Sequence, residues 1–134
     1  MELKDVIAKS PCVSKNITIK EFLDIAAKCK SDFFPVVENG VVVGIVSEKD
    51  LIKLIKIQPV ASIQPIISSD ISKTLLQRKV ADIMTSNPIT VKSSSKVEFV
   101  IKVMVANNLR RVVVVDDGRK LVGIVHVRDI IRKL

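Results

Sequence analysis

Aromatic side chains are scarce in this sequence. Its 134 residues include four phenylalanines, no tryptophan and no tyrosine, although 48% of the residues are hydrophobic. The core of the folded chain must therefore be built from valine, isoleucine and leucine. Phe99 is the only aromatic residue in the second half, so that half offers no aromatic platform on which RNA bases could stack.

Residues that carry out catalysis or bind metals are also few. The only histidine is His126, and no cluster of cysteines or acidic residues surrounds it in the sequence, so we expect no metal site. Cys12 and Cys29 form no Cys-x-x-Cys motif, and we expect both to be small, buried apolar residues. The sequence also lacks a P-loop and the Ser/His/Asp order of hydrolases. These absences argue against an enzyme and against a required cofactor.

Long hydrophobic runs are missing as well. No uninterrupted apolar stretch approaches the ~18 residues that span a bilayer. Glu2, Lys4 and Asp5 interrupt the start of the chain, so we expect no secretion signal. We therefore expect a cytoplasmic protein that is not bound to a membrane.

Positive charge is concentrated in the second half. Residues 67–134 contain thirteen lysines and arginines against six acidic residues, whereas residues 1–66 contain nine against eight. This imbalance predicts an anionic partner for the second half, which could be a nucleotide, a nucleic acid or another protein. The lysine-rich surface of a heat-adapted protein explains the imbalance equally well.

A short pattern occurs twice in the chain. Residues 43–51 read VGIVSEKDL, and residues 122–130 read VGIVHVRDI. In both copies valine and isoleucine favour a strand, and the glycine lets another part of the structure approach the backbone closely. A helix can begin after Ser47 in the first copy and after His126 in the second. Two such copies in a small chain indicate an internal repeat.

Two amphipathic helices are predicted at matching places in the two copies. Apolar residues recur at i, i+3, i+4 and i+7 in each, which is the spacing of one helix face. Thr18 or Asn16 can cap the first helix, and Ser94 or Ser95 can cap the second. The two faces consist of Ile19, Phe22, Leu23 and Ala26 in the first helix and Val97, Val100, Ile101 and Met104 in the second.

Strands are predicted on both sides of each helix. A short strand precedes the helix, and two strands that form a hairpin follow it, with Asn39-Gly40 and Asp117-Gly118 in the turns. Each copy therefore reads strand, helix, strand, strand, helix, which is a mixed α/β (α+β) fold. The strands fall at residues 12–13, 33–37 and 41–46 in the first copy and at residues 89–91, 111–115 and 121–125 in the second.

The repeat divides the chain into two copies and a linker. Residues 1–58 form the first copy, and residues 79–134 form the second. Residues 59–78 form a linker with a short helix over residues 71–77. We expect the copies to pack sheet to sheet about a pseudo-twofold axis, because neither has enough chain to cover its own strands.

The repeated pattern resembles the CBS domain, which occurs in tandem pairs called Bateman modules. The resemblance rests on the glycine-apolar-apolar-x-x-x-aspartate motif that closes both copies and on residues 82–91, DIMTSNPITV, which lead the second copy. It covers nearly the whole chain and is typical of a stand-alone protein of prokaryotic or archaeal type. It implies a ligand-sensing regulatory module that forms a homodimer and signals to an effector protein.

The resemblance also implies a ligand and the residues that hold it. CBS pairs typically bind adenine nucleotides or related adenosyl ligands in clefts between the two copies. Asp50 and Asp129 match the aspartate that holds the ribose hydroxyls, and a carboxylate can accept hydrogen bonds from both. Ser47 matches a residue that reaches the ribose or the phosphate. The positions that match the adenine contacts are Cys12, Val13, Phe34, Pro35, Ile89, Thr90, Val112 and Val113.

The second copy departs from the family pattern at two positions. His126 replaces the expected serine or threonine, and Val113 stands where a proline is usual. Arg111 and Arg128 are the candidates for phosphate binding, because a planar guanidinium suits a phosphate. A solvated strand entrance explains Arg110 and Arg111 equally well.

Ser47 and Asp50 also have a purely structural explanation. A hydroxyl residue followed three positions later by an acid resembles a capping box at the start of a helix. His126 is a poor N-cap, yet Asp129 keeps its place in the second copy, and this favours ligand binding over capping. The alternative function is nucleic-acid binding by the basic second half, which a steep dependence of binding on salt would indicate.

Overall fold

The computed structural model describes residues 1–53 and 69–134, and it confirms the mixed fold class with two sheets. Three short 3-10 turns supplement the helices and strands, at Leu3–Asp5, Glu48–Asp50 and Val80–Asp82. The elements are β1 (Val13–Ser14), α1 (Ile19–Cys29), β2 (Phe33–Glu38), β3 (Val41–Ser47), α2 (Ser69–Leu76), β4 (Thr85–Ser86), β5 (Thr90–Lys92), α3 (Val97–Ala106), β6 (Arg111–Val115), β7 (Leu121–His126) and α4 (Val127–Arg132).

The two sheets share a strand pattern. The first has the order β1-β2-β3-β4, and the second has the order β5-β6-β7. In each sheet the short strand before the helix runs parallel to the first hairpin strand. All six predicted strands are therefore confirmed, whereas β4, which pairs antiparallel with β3, was not predicted.

The chain forms two compact units that exchange their leading segments. The N-terminal unit comprises Pro11–Glu38 and Val43–Ser86, and the C-terminal unit comprises Met1–Ser10, Asn39–Val42 and Asn87–Leu134. Residues 1–10 thus belong to the unit built from the second copy, and residues 80–86 belong to the unit built from the first. The units are not consecutive stretches of the chain, and the predicted limits of the two repeats stay a prediction.

The core of the N-terminal unit surrounds two phenylalanines. Phe22 of α1 and Phe34 of β2 are both fully buried, and their rings meet edge to face at 5.5 Å. Val80 and Ile83 from the exchanged segment complete this core. The predicted face of α1 is confirmed, and Thr18 caps the helix by accepting a hydrogen bond from the Glu21 backbone at 3.1 Å.

The core of the C-terminal unit contains no aromatic side chain among its buried residues. Leu3 and Val6 of the exchanged segment pack with valines of β5, β6 and β7 and with the buried face of α3. The N-cap of α3 is Lys96, so the prediction of Ser94 or Ser95 was wrong. The Ser95 backbone donates to the carbonyl of Lys92 at 2.9 Å, which holds the serines in a turn before the helix begins.

Both cysteines are exposed, so the prediction that they are buried was wrong. Cys12 lies just before the two-residue strand β1, and Cys29 is the last residue of α1. Apolar character alone does not place a residue in the core.

Each repeated glycine lies against the segment that is exchanged from the other copy. A Cβ atom on Gly123 would lie 2.4 Å from the carbonyl oxygen of Ala8, and one on Gly44 would lie 2.9 Å from that of Thr85. Ala8 exchanges two backbone hydrogen bonds of 2.9 Å with Ile124. The close approach that the sequence predicted is therefore made by the leading segments.

The two hairpin turns are stabilised in different ways. Asn39 and Gly40 both have positive φ, as a two-residue hairpin turn requires. In the second turn Arg119 has the positive φ, and Gly118 does not. Asp116 Oδ1 accepts hydrogen bonds from the backbones of Gly118 and Lys120, each at 2.9 Å, so a carboxylate stabilises this turn.

Replacement of Gly123 by alanine should destabilise the chain, because the new Cβ would displace a backbone carbonyl. We expect a loss of about 2–3 kcal/mol for Gly123→Ala and a smaller loss for Gly44→Ala, because its Cβ would lie 2.9 Å from the nearest backbone atom and 2.8 Å from the side-chain sulfur of Met84. Urea denaturation measures both losses. Gly118→Ala is the control, because its Cβ would meet nothing closer than 3.5 Å. Equal stability of the three variants would contradict this account.

Asp82 should make a small contribution to the free energy of unfolding that depends on pH. Its carboxylate accepts a hydrogen bond from Arg78 Nε at 3.1 Å, and this bond lowers the pKa of Asp82 below its ordinary value. A lowered pKa stabilises the fold above the ordinary value of about 3.9, and the stabilisation is lost as the pH falls through the lowered pKa.

Arg78→Met should therefore reduce the free energy of unfolding at pH 6.5 but not at pH 2.5. Both side chains are about 40% exposed, so solvent screening keeps the loss within about 1 kcal/mol. Urea denaturation at the two pH values measures it. Asp82→Asn is the matched control, in which Arg78→Met should have little effect at either pH. The same loss at both pH values in the parent would disprove the linkage.

Candidate functional site

The predicted site residues of the N-terminal unit gather at one end of its sheet. β1 pairs with β2 in the register Val13 to Val36, so Cys12 lies beside the start of β2. The backbone of Glu48 donates to the carbonyl of Asp32 at 3.3 Å. This hydrogen bond brings the turn after β3 to the same end of the sheet.

Asp50 is the buried polar residue of this turn, with 9% of its surface exposed. Its Oδ2 accepts a hydrogen bond from the Ser47 backbone at 2.8 Å. Its Oδ1 forms an ion pair with Lys53 Nζ at 2.9 Å. Asp50 therefore has the capping role that the sequence allowed. A carboxylate has about four acceptor positions, so these two contacts leave capacity for further donors.

The predicted site residues of the C-terminal unit form a corresponding group. Thr90 pairs with Val113, and Arg111 pairs with His126, so the starts of β5 and β6 and the end of β7 lie at one end of the sheet. The backbone of Val127 donates to the carbonyl of Arg110 at 2.8 Å. The same link between the closing turn and the first hairpin strand thus occurs in both units.

The two aspartates differ in their surroundings. The side chain of Asp129 is 31% exposed, whereas that of Asp50 is 13% exposed. Arg132 lies 4.0 Å from Asp129, which is a weaker contact than the Lys53 ion pair. Arg128 is exposed on the same helix. The C-terminal group therefore has a more open carboxylate and more cationic surroundings.

The predicted adenine contacts divide into buried and exposed residues. Val13, Phe34 and Val112 can offer a ligand only their backbone groups, because their side chains belong to the hydrophobic cores. Cys12 is exposed, and Ile89 is 44% exposed, so these two side chains are available for contact. Thr90 is partly exposed. The buried members are Val13, Phe34, Pro35, Val112 and Val113.

Sequence reasoning missed Lys53. Its ammonium group contacts Asp50 and also donates to the carbonyl of Ile83 at 3.2 Å. The i, i+3 spacing of an acid and a base at the start of a helix could have predicted the ion pair. The contact with Ile83 was hidden, because it depends on the exchanged segment.

Two further features are absent from residues 1–53 and 69–134. No group of three or more histidine, cysteine, aspartate or glutamate residues in these ranges could hold a metal ion. No helix in the same ranges combines the length and the apolar character needed to cross a membrane.

Comparison with known proteins identifies the repeat. A family model described as the CBS domain matches residues 3–57 and again residues 80–134. The uncharacterized protein MJ1426 of Methanocaldococcus jannaschii is 31% identical over 153 residues, a match that covers 100% of this chain and 91% of the relative. Three further curated relatives are longer, and the chain spans 22% to 34% of their length.

Two solved structures are similar over almost the whole chain. One is the CBS domain pair of protein MJ0100 in complex with 5′-methylthioadenosine and S-adenosyl-L-methionine. It is 31% identical, with a TM-score of 0.71, and the match covers 99% of this chain and 98% of that one. The other is CBSX2 in complex with AMP. It is 26% identical, with a TM-score of 0.76, and the match covers 98% and 94% of the two chains.

Proposed function

Because the chain belongs to the CBS-domain family and contains two copies of the domain, we propose that it is a regulatory module for an adenosyl ligand. The ligand is an adenine nucleotide or a related adenosine derivative. Its binding changes the population of two arrangements of the module, and a partner protein reads that change. In this proposal the chain has no catalytic role and requires no cofactor.

The observation that carries the proposal is the aspartate that follows the last strand of each unit. Asp50 and Asp129 lie at the sheet ends where the other candidate residues gather. The ligands in the two similar structures, AMP in one and 5′-methylthioadenosine with S-adenosyl-L-methionine in the other, share an adenosine group. The part that they share contains the vicinal ribose hydroxyls, and a carboxylate can accept hydrogen bonds from both of them.

The remaining residues have complementary roles in each half-site. Cys12 and Ile89 supply exposed side chains against the flat base, and neighbouring backbone groups read its edge. The hydroxyl of Ser47 donates a hydrogen bond to the ribose or to a phosphate in the N-terminal half-site. Arg111 and His126, which are paired across β6 and β7, take the phosphate in the C-terminal half-site together with Arg128.

The charges make the two half-sites unequal. Arg110, Arg111 and Arg128 lie at the C-terminal half-site. At the places that match Arg110 and Arg111, the N-terminal half-site has Asp32 and Phe33, and its Lys53 is already paired with Asp50. We therefore assign the ligand with more phosphate groups to the C-terminal half-site. No observation favours nucleic-acid binding. In this proposal the arginines of the C-terminal half-site bind the phosphate groups of the ligand.

We also propose that the chain forms a homodimer. Several apolar side chains of the C-terminal unit are exposed to solvent in the single chain: Phe99 and Val105 of α3 are 54% and 77% exposed, and Ile131 of α4 is 61% exposed. Association can cover exposed apolar side chains, and twofold symmetry is the commonest closed arrangement.

Ligand binding should depend on both aspartates. Asp50→Ala and Asp129→Ala should each weaken the binding of AMP at one site by about ten- to a hundredfold, because a charged acceptor of hydrogen bonds is lost. Isothermal titration calorimetry measures the affinity. Asp117→Ala is the control, because this carboxylate is 90% exposed in a hairpin turn. If a folded double variant binds AMP as tightly as the parent, the binding site lies elsewhere.

The homodimer can be tested by light scattering over a concentration series. The parent should have twice the mass of one chain at micromolar concentration. Val105→Asp should shift the equilibrium toward single chains, because it places a charge among the exposed apolar residues of α3. Lys120→Asp changes a charge in a hairpin turn and should leave the mass unchanged. Single chains of the parent at every concentration would rule out the homodimer.

A further inference from the structure

Lys53 connects two parts of the N-terminal unit through one ammonium group. Nζ lies 2.9 Å from Asp50 Oδ1 and donates to the carbonyl oxygen of Ile83 at 3.2 Å. The Lys53 side chain is 50% exposed, so it reaches these partners from the surface of the unit. Ile83 follows the 3-10 turn of the exchanged segment. A single side chain thus links the candidate ribose acceptor to that segment.

These contacts fix the orientation of a buried carboxylate. Asp50 Oδ2 is held by the Ser47 backbone at 2.8 Å, and Oδ1 is held by Lys53. With both oxygens bound, the carboxylate cannot rotate without breaking a charge-assisted hydrogen bond. Lys53 also supplies the opposite charge that a buried carboxylate requires. The acceptor positions left on Asp50 are therefore held in place before a ligand arrives.

The C-terminal unit repeats these contacts with two residues. Arg132 is three positions after Asp129, as Lys53 is after Asp50, and its guanidinium lies 4.0 Å from Asp129 Oδ1. Lys133 Nζ donates to the carbonyl oxygen of Asp5 in the other exchanged segment at 2.7 Å. A basic side chain beside the aspartate and a basic side chain on the exchanged segment thus occur in both units. Only Lys53 makes both contacts among the residues that the structure describes.

We propose that Lys53 is a positioning residue for the ribose subsite of the N-terminal unit. It holds the carboxylate of Asp50 in the orientation in which its oxygens accept hydrogen bonds from both ribose hydroxyls. It also connects that carboxylate to the exchanged segment at Ile83. This inference rests on the proposed binding of an adenosyl ligand. It narrows the preferred ligand of this half-site to a ribonucleoside with free 2′ and 3′ hydroxyls.

The test compares adenosine with 2′,3′-dideoxyadenosine, which has the same base but lacks both hydroxyls. Calorimetry uses the full chain carrying Asp129→Ala, so that the N-terminal half-site dominates binding. Lys53→Met should weaken adenosine binding by roughly three- to tenfold, as the loss of one hydrogen-bonded contact predicts. Binding of the dideoxy compound should change by less than a factor of about two. Lys53→Arg should restore adenosine binding, because a guanidinium can also pair with the carboxylate.

Two controls separate positioning from a purely structural role. Lys49→Met removes an exposed lysine from the same turn and should leave the binding of both ligands unchanged. In the Asp50→Asn background, Lys53→Met should have little further effect on adenosine, because the group that it positions has changed. Thermal denaturation of each variant establishes that it is folded under the conditions of the titration.

The outcomes distinguish this inference from the function on which it rests. Equal weakening of both ligands by Lys53→Met would make Lys53 a structural residue and overturn the inference. Unchanged or tighter adenosine binding would overturn it as well. If instead the Asp129→Ala protein with Lys53 intact binds adenosine no better than the dideoxy compound, Asp50 does not bind the ribose. The inference then fails as well.

Discussion

The close contact of each leading segment with a glycine of the other copy is the constraint on which both units depend. Ala8 pairs with Ile124, and Thr85 and Ser86 pair with β3 beside Gly44. In each case a backbone lies where the Cβ of any other residue would be. The leading segments also supply core residues to both units. Removal of this contact would therefore open a hydrophobic core as well as the edge of a sheet.

The same contact determines how each candidate site is supported. The turn that holds Asp50 is connected through Lys53 to a segment that lies about thirty residues further along the chain. In the proposed function, a ligand on Asp50 would contact a carboxylate that is tied to the exchanged segment. One side chain thus contacts both the Asp50 carboxylate and a residue just before β4, the strand that pairs with β3.

Local periodicity accounts for what the sequence predicted correctly. The buried faces of α1 and α3 and the six main strands follow from the spacing of apolar residues over short windows. The turn at Asn39-Gly40 follows from the tolerance of these residues for positive φ. The wrong predictions concern the ends of elements, such as the N-cap at Lys96 and the exposed Cys29, where the spacing of apolar residues gives no information.

The candidate site was predictable in its residues but not in its connections. Asp50 could be selected because its motif is repeated at Asp129, and its capping contact follows from the spacing to Ser47. The contact between Lys53 and Ile83 was not predictable, because it requires knowledge of which segment covers the glycine. Phe34, a position taken from the motif, is fully buried, which the motif alone did not indicate.

The exchange of leading segments has a consequence for the order in which the chain can fold during synthesis. Residues 80–86 join a unit whose other parts have already been made, so the N-terminal unit can close as soon as they leave the ribosome. Residues 1–10 are made before their partners, which come from residues 87–134, and the bond from Lys133 to Asp5 joins residues 128 positions apart. Contacts of such long range form slowly. Leu3 and Val6 therefore remain without their native partners until residues 87–134 have been made, and the segment is exposed to misassociation during that interval.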